Sequence, residues 1–377
     1  MGIIPARLIE VWQFLTGKAT KAEYVKDSSS ISSSSAQLPQ DEAAAHVTWG
    51  VAAVKALQTQ LTGAGVKVAM LDTGLDMEYT RHPAFQGINV KGRNFTTNDE
   101  TDWHDVRGHG THCLGTILGR DVEGVRIGVA PGITDVIIGK VIPDKGSGSC
   151  EQLVHVIWWA WFEQGAHIIS ISLAYDLPAK AAALAAAENK TMEQAYIEAQ
   201  KISETHGSLF QSLFRMLQDG LAMNHAPPLI IAACGNGSTV DVKVPVQLPA
   251  AADGVVSVGA VNKSPQGYVV APCSNVGASV CAPGVMVFSA AADGAAPLAA
   301  SGVLLRPESG TSMAAPHVAG VAALWWQHLR GDYGLNTAAE VRWQLQGRAS
   351  TQGFAPGVAP AELTRAVGRG LVQAPPV

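Results

Sequence analysis

The sequence predicts an α/β fold in which helices sandwich a parallel β-sheet. Five short apolar runs of strand length alternate with helix-like stretches along a chain of 377 residues. The runs are continuously apolar, as in strands that helices cover on both faces, rather than alternately polar and apolar. No segment repeats at a fixed period. We therefore assign most of the length to one domain, residues 49–377, although it would accommodate two or three domains of about 150 residues.

The predicted elements follow one another along this domain. Helices are predicted at residues 50–61 and 150–162. The strands are predicted at residues 66–71, 136–142, 167–173, 229–234 and 255–261. Val and Ile dominate the strands, and these residues fit a pleated, buried surface.

A helical insertion, residues 176–226, interrupts the alternation. Between residues 178 and 224 the chain is rich in Ala and predicts two or three helices, with breaks near Asn189 and Gly207. An apolar stripe at helical spacing predicts a packed face; it consists of Leu209, Phe210, Leu213, Phe214 and Leu217. The insertion is either an enlarged crossover that packs on the sheet or a lid over a site at the strand ends.

Residues 1–48 form an N-terminal extension to this domain. Residues 28–35 read SSSISSSS, which is too polar to bury and predicts a flexible linker. One amphipathic helix is predicted around residues 9–15, and it either docks on the domain or a partner or has no role.

Composition excludes several classes of protein. Hydrophobic residues make up 47% and charged residues 15%, with 39 Gly and 20 Pro, which excludes collagen-like, coiled-coil and wholly disordered chains. The 26 basic and 31 acidic residues give a net charge of −5, so we expect no nucleic-acid or membrane partner. No apolar run approaches the length of about 18 residues that a membrane span needs.

The N-terminus and the cysteines predict a cytoplasmic protein. Arg7 and Glu10 interrupt the apolar residues where a signal peptide would have an unbroken run. Five cysteines are too few for a disulfide scaffold, and their odd number leaves at least one unpaired within the chain. Both observations favour a reducing compartment.

Three short motifs stand at predicted strand or helix ends, where an open α/β sheet presents its ligands. Asp72, Thr73 and Gly74 follow the first strand. Residues 108–112 (GHGTH) open one helix, and residues 310–317 (GTSMAAPH) open another.

Together these motifs predict acyl transfer through a serine. Such a reaction needs a base for the hydroxyl proton and a carboxylate that orients the base, and Asp72, His109 and Ser312 supply one of each. Each motif alone is weak, because Asp-Thr-Gly also occurs in aspartic proteases and a lone serine at a helix start is usually an N-cap. The G-x-S-x-G elbow of α/β-hydrolases is absent around Ser312.

At these residues the chain resembles the subtilisin-like serine proteases, whose triad has the same order. The resemblance covers roughly residues 49–372 apart from the insertion. It is carried by residues 48–50 (TWG), 109–115 (HGTHCLG), 232–236 (AACGN), 274–275 (SN), 282–284 (APG), 312–320 (SMAAPHVAG) and 368–372 (GRGLV). It implies a subtilisin-like fold, cleavage of peptide bonds in a peptide or protein substrate, and no required cofactor.

The resemblance also implies a role for each catalytic residue. Ser312 would be the nucleophile, at a helix N-terminus where its own N–H faces the developing oxyanion. His109 would be general base and then general acid, and Asp72 would orient it. Asn236 would donate its side-chain amide to the oxyanion. His112 and His317 lie within the motifs and are predicted to pack rather than to react.

Substrate is expected to bind as an added strand beside the active site, as in the family. The matching segments are Gly146, Ser147 and Gly148, and Ser172, Leu173 and Ala174, with Ala233 in the strand before Asn236. The family's Ser-Leu-Gly-Gly pattern is replaced here by Ser172-Leu173-Ala174-Tyr175. Two side chains stand where glycine lets the backbone approach substrate, so the pocket is expected to be narrower or reshaped.

The floor of the pocket for the residue before the scissile bond has two candidates. Counting on from residues 238–240 selects Asp241, whereas counting back from Pro249 selects Gln247. If Asp241 is the floor, charge pairing predicts a basic residue before the cleaved bond.

An acidic loop contains candidate calcium ligands. Asp99, Glu100, Asp102 and Asp105 offer several oxygen ligands within a short stretch, and related proteases carry calcium nearby. We name Asp99, Asp102 and Asp105 as candidate ligands; the alternative is a solvated loop.

These observations predict a serine endopeptidase with an intracellular processing or regulatory role, with a regulatory partner at the helical insertion. Two alternatives on the same fold stay open. One is a peptide ligase or macrocyclase, in which an amine rather than water resolves the acyl-enzyme. The other is a pseudoprotease that only binds peptides. Cys113 and Cys234 adjoin the site in sequence and are predicted to be buried structural thiols.

Overall fold

The computed structural model describes residues 37–218, 226–292, 303–334 and 337–376, and the backbone of residues 23–27 and 31–32. The strands are β1 Glu23–Asp27, β2 Ile31–Ser32, β3 Val68–Asp72, β4 Asn89–Asn94, β5 Asp135–Lys140, β6 Gly148–Ser149, β7 Ile168–Ile171, β8 Leu173–Tyr175, β9 Leu229–Ala233, β10 Val256–Ser264, β11 Gly267–Val270, β12 Val280–Pro283, β13 Val287–Ala290 and β14 Leu305–Ser309. The helices are α1 Gln40–Ala45, α2 Trp49–Ala53, α3 His109–Leu118, α4 Cys150–Trp158, α5 Leu177–Glu188, α6 Met192–Gln218, α7 Thr311–Tyr333, α8 Ala338–Gly347 and α9 Pro360–Val367.

The central sheet has the order β11-β10-β9-β7-β3-β5-β4, and β12 pairs with β10 beside this path. All neighbours run parallel except β10 and β11, which pair antiparallel. The predicted α/β fold with a parallel sheet between helices is confirmed. Because β3, β5, β7 and β9 run in the same direction, their carboxyl ends meet at one edge, where a ligand site is expected.

Two apolar cores cover the two faces of the sheet. Side chains of a strand alternate between faces, so Val68 and Met70 enter one core, while Ala69 and Leu71 enter the other. Helices α3 and α7 pack in the first core, and α4 and α6 pack in the second. Burial on both faces explains why the strands read as continuous apolar runs.

The helical insertion is a hairpin of α5 and α6. The predicted break at Asn189 is confirmed, since this residue ends α5 in the left-handed conformation with φ 51°. The break predicted at Gly207 is wrong, because α6 runs unbroken through it. Residues on both sides of Gly207 keep the same helical spacing, and the predicted stripe packs in the second core. The helix predicted at residues 50–61 is also shorter, with α2 ending at Ala53.

The N-terminal extension contributes two strands to small sheets. β1 lies between β6 and β8 and is antiparallel to both, and β2 pairs antiparallel with β14. The flexible linker predicted at residues 28–35 is therefore wrong at Ile31 and Ser32, where backbone pairing with β14 orders a polar sequence. The helix predicted at residues 9–15 lies outside the described residues.

Membrane-spanning helices and cysteines can be assessed across the described residues. Within these residues no helix is long and apolar enough to cross a bilayer. All five cysteines have free thiols, and only Cys273 is not fully buried.

Candidate active site

Three sequence motifs meet at the carboxyl edge of the sheet. Asp72 is the last residue of β3, His109 is the first of α3, and Ser312 is the second of α7. All three side chains are buried, with at most 2% of each residue exposed. Helices α3 and α7 pack against each other, and Cys113 Sγ lies 4.0 Å from His109 Nδ1 and 3.5 Å from the Ser312 carbonyl oxygen, so the two N-terminal ends meet beside Asp72.

The imidazole of His109 is oriented by Asp72. Its Nδ1 lies 2.7 Å from Asp72 Oδ1, which also accepts a 2.7 Å bond from the N–H of Thr73. Burial alone would lower the pKa of His109, but the nearby Asp72 carboxylate outweighs it and holds this pKa well above its usual value. Burial also raises the pKa of the neighbouring Cys113 thiol to about 11, so Cys113 is uncharged at neutral pH. Asp72 is therefore the anion that favours the imidazolium.

A second carboxylate holds the start of α3 in place. Asp105 is fully buried, and its Oδ1 accepts bonds from the Thr73 hydroxyl at 2.8 Å and the Gly108 N–H at 2.7 Å. Its Oδ2 accepts from the N–H and the hydroxyl of Thr111 at 2.8 and 2.7 Å. A carboxylate that accepts from orphan N–H groups at a helix N-terminus stabilises that end. Asp105 thereby ties the His109 helix to the turn after Asp72.

Lys140 supports the same turn from β5. Its buried ammonium donates to the carbonyl oxygens of Thr73 at 2.6 Å and His104 at 2.7 Å, and it pairs with Asp144 at 2.8 Å. Sequence reasoning missed this residue. The available signal was a lysine inside an otherwise apolar strand, because a buried charge is kept only when several acceptors satisfy it.

The Ser312 hydroxyl lies at the N-terminus of α7. Its Oγ donates a 3.0 Å hydrogen bond to the carbonyl of Ser172, the residue that joins β7 to β8. His109 Nε2 is buried and has no hydrogen-bond partner among the described residues. Catalytic hydrogen bonds are often long or misaligned until substrate binds. In the predicted roles, proton transfer to His109 would require the hydroxyl to turn from Ser172 toward Nε2.

Asn236 completes the arrangement just after β9. Its Oδ1 accepts a 2.9 Å bond from the N–H of Thr311, which fixes the amide beside Ser312. Its Nδ2 is buried and has no hydrogen-bond partner within the described part of the chain. A buried donor without a partner is costly. An oxyanion next to Ser312 would satisfy it.

We expect replacement of Asn236 by Leu to lower kcat by about a hundred- to a thousandfold, with little change in KM. The magnitude is the one measured for the equivalent amide in subtilisin. Leu keeps the approximate volume but has no donor for the oxyanion. Steady-state cleavage of a fluorogenic peptide measures the effect. A change confined to KM would contradict an oxyanion role.

The predicted substrate segments form the two sides of a groove that β1 fills. Gly148 is in β6, and Leu173 and Ala174 are in β8. Gly146 and Ser147 precede β6 in the chain, and Ala233 ends β9 with its side chain fully buried.

β1 runs antiparallel to β8 along this groove. Asp27 pairs with Leu173, Lys26 with Ala174 and Val25 with Tyr175, judged by facing Cα atoms. The groove is thus the kind of open strand edge to which an extended peptide adds. Its Leu173 end lies next to Ser172 and the Ser312 hydroxyl.

Comparison with known proteins agrees with this geometry. The model of the Subtilase family matches residues 63–370, which is more than half of the chain. The chain belongs to the subtilase family.

Three relatives match most of the chain. The "Intracellular serine protease" of Paenibacillus polymyxa is 31% identical over 76% of this chain and 75% of its own length. "Subtilisin DY" of Bacillus licheniformis is 30% identical over 81% and 93%, and "Subtilisin Savinase" of Lederbergia lenta is 31% identical over 74% and 83%.

The two candidates for the pocket floor of this subtilase lie in different surroundings. Asp241 is exposed, in a tight turn closed by bonds between Thr239 and Val242. Gln247 instead reaches Gly235, where an added Cβ would lie 2.7 Å from Gln247 Oε1. Since Gly235 directly precedes Asn236, Gln247 lies near the predicted oxyanion residue, as the count back from Pro249 predicts. An exposed Asp241 does not supply the desolvated charge on which the predicted preference for a basic residue depended.

The acidic loop of this subtilase does not assemble a calcium site from the predicted ligands. Asp99 and Asp102 are exposed, and each accepts bonds from its own loop, whereas Asp105 is buried beneath α3. Among the described residues these three carboxylates do not form a group whose ligand atoms could all hold one ion. The donor set does not fit a cation that needs several oxygens around one point. No step of the reaction is assigned to calcium.

The other candidate residues of this subtilase are structural. His112 and His317 are fully buried, and burial lowers the pKa of each to about 4, so both are neutral at neutral pH. His317 packs so closely on α2 that a Cβ on Gly50 would lie 2.1 Å from its Nε2. Cys113 and Cys234 are fully buried, and burial raises the pKa of Cys234 to about 12. Neither thiol is a thiolate nucleophile at neutral pH.

Proposed function

We propose that this subtilase is an intracellular processing endopeptidase whose own N-terminal segment keeps it latent. The observation that carries the proposal is the position of β1 in the groove between β6 and β8. An intracellular setting is supported by five free cysteines and by the name of the Paenibacillus relative.

The reaction follows from the site residues in the roles proposed above. Ser312 Oγ attacks the scissile carbonyl carbon while His109 Nε2 takes its proton, and Asp72 stabilises the resulting imidazolium. The oxyanion of the tetrahedral intermediate accepts bonds from Asn236 Nδ2 and the Ser312 N–H. His109 then gives its proton to the leaving amine as the C–N bond breaks. Water, deprotonated by His109, hydrolyses the acyl-enzyme and restores the serine.

The mass of the products tests hydrolysis against ligation. Incubation with a peptide of known sequence should yield two fragments whose summed mass exceeds that of the peptide by one water. Products that lack this water, joined head to tail or to an added amine, would show a ligase or macrocyclase instead.

We expect Val25→Pro in the full chain to raise kcat/KM for a short peptide by about tenfold or more. Proline removes the backbone N–H and does not fit the middle strand of a sheet, so β1 should leave the groove more often. Val25→Ala keeps the N–H and serves as the matched control. Initial rates should be measured while mass spectrometry shows an uncleaved chain. Equal rates in wild type and Val25→Pro would contradict latency.

A further inference from the structure

A buried lysine lies beside the groove but outside the catalytic residues. Lys180 is only 7% exposed, a degree of burial that is rare for lysine. It is in the first turn of α5, and its N–H donates a 3.0 Å bond to the carbonyl of Asp176. Because α5 begins just after β8 and packs against β1, this turn flanks the groove.

The surroundings of Lys180 are built by the insertion. The ring of Tyr175, which ends β8, packs edge-on against His206 of α6 at 5.8 Å between centroids. Burial and the charge of Lys180 both lower the pKa of His206, so the imidazole is neutral and the lysine is the cation beside this ring pair. Tyr175 is 2% exposed and faces Val25 across the β8 ladder. Lys180, Tyr175 and His206 therefore lie at the groove end remote from Ser312, which we call the cationic end of the groove.

The strand that occupies the groove carries an acidic residue toward this cationic end. The sequence of this strand is EYVKD. Val25 faces Tyr175, and Glu23 lies two residues upstream, at the end of the strand remote from the nucleophile. Attraction between an ammonium and a carboxylate is stronger where burial keeps water away. A strand that brings a carboxylate to this end of the groove would therefore bind better than one that brings a second cation.

We propose that Lys180 is a specificity-determining residue that selects substrates with Asp or Glu about four to six residues before the cleaved bond, given one residue per strand position. The inference rests on the proposed endopeptidase function and adds its substrate class. The subsite is formed by α5 of the insertion and by the side chain of Tyr175, which stands just before the insertion where the family pattern has glycine. The insertion thus restricts substrates by charge at the upstream end of the groove.

Cleavage of matched peptides by the full chain tests this subsite. Three fluorogenic peptide series would carry Glu, Gln or Lys at one position, moved stepwise from three to seven residues before the bond. At one or two adjacent positions the wild type should show kcat/KM at least about tenfold higher for Glu than for Lys, as for a charge-assisted bond in a partly buried site. Lys180→Glu should reverse this ratio, and Lys180→Met should bring it close to one.

Two controls separate a subsite from a folding effect. Lys201→Glu makes the same charge change at an exposed position of α6 and should keep the wild-type ratio. The Gln peptide should be cleaved at similar rates by all variants if they fold alike. A Glu to Lys ratio that stays unchanged in Lys180→Glu would overturn the proposal.

Failure of the Lys180 subsite can be distinguished from failure of the endopeptidase function. If neither the wild type nor the Val25→Pro chain, in which β1 should leave the groove, cleaves any of the peptides, the endopeptidase function fails. Fluorescence anisotropy of the same peptides with Ser312→Ala and with Ser312→Ala/Lys180→Glu then decides the subsite by binding. Tighter binding of the Glu peptide that Lys180→Glu reverses supports it, and equal binding refutes it.

Discussion

Replacing Ser312 by Ala should lower kcat for a fluorogenic peptide by about a millionfold, with the substrate still bound. The magnitude is that of the equivalent change in subtilisin. The physical reason is that alanine has no hydroxyl to attack the scissile carbonyl, so the acyl-enzyme cannot form. The thermal unfolding midpoint should change little, because Ala keeps the N-terminal turn of α7.

The double variant Ser312→Ala/His109→Ala should be no slower than Ser312→Ala alone. Residues of a triad act as a unit, so the base has no proton to take once the hydroxyl is gone. Rates for the single and double variants can be compared at high enzyme concentration. A further loss of about a hundredfold in the double variant would indicate that His109 acts independently of Ser312.

Replacing Asp72 by Asn should lower kcat by about ten-thousandfold, a magnitude known for the same change in another triad. The amide can donate to His109 Nδ1 and so favours the wrong tautomer. The pH dependence should change as well. Only neutral His109 can act as base, so kcat/KM rises with pH through the pKa of His109, which Asp72 holds well above its usual value. Loss of the carboxylate should move this rise to lower pH.

Asp144→Asn is the matched control for Asp72→Asn. Asp144 is an exposed carboxylate that pairs with Lys140, and it does not contact His109. Its pH profile should keep the wild-type midpoint. A profile for Asp72→Asn that also keeps this midpoint would contradict the orientation of His109 by Asp72.

The sequence was informative where function depends on short motifs at strand ends. Asp72, His109 and Ser312 are far apart in the chain, but each directly follows a strand or opens a helix. A parallel sheet brings such positions to one edge, so the motifs and the apolar runs together predicted both the fold and the meeting of the triad.

Residues whose roles depend on contacts between distant segments were less predictable. Asp105 reads as one of several loop acids, and only the folded chain shows that it caps α3. Gln247 could not be separated from Asp241 by counting, because the turn between them has no regular pattern. The pairing of β1 is set by the exposed edges of β6 and β8. The sequence of the polar extension alone does not show that those edges are available for pairing.

Reaction with a fluorophosphonate probe tests the central claim most directly, because the probe bonds to a serine hydroxyl only where a base and an oxyanion site activate it. The full chain with Val25→Pro should be labelled at one residue, and peptide mapping should place the adduct on Ser312. Labelling should disappear in Ser312→Ala and fall steeply in His109→Ala. A folded chain that is never labelled, or one that is labelled equally after Ser312→Ala, would contradict a serine endopeptidase built on Ser312.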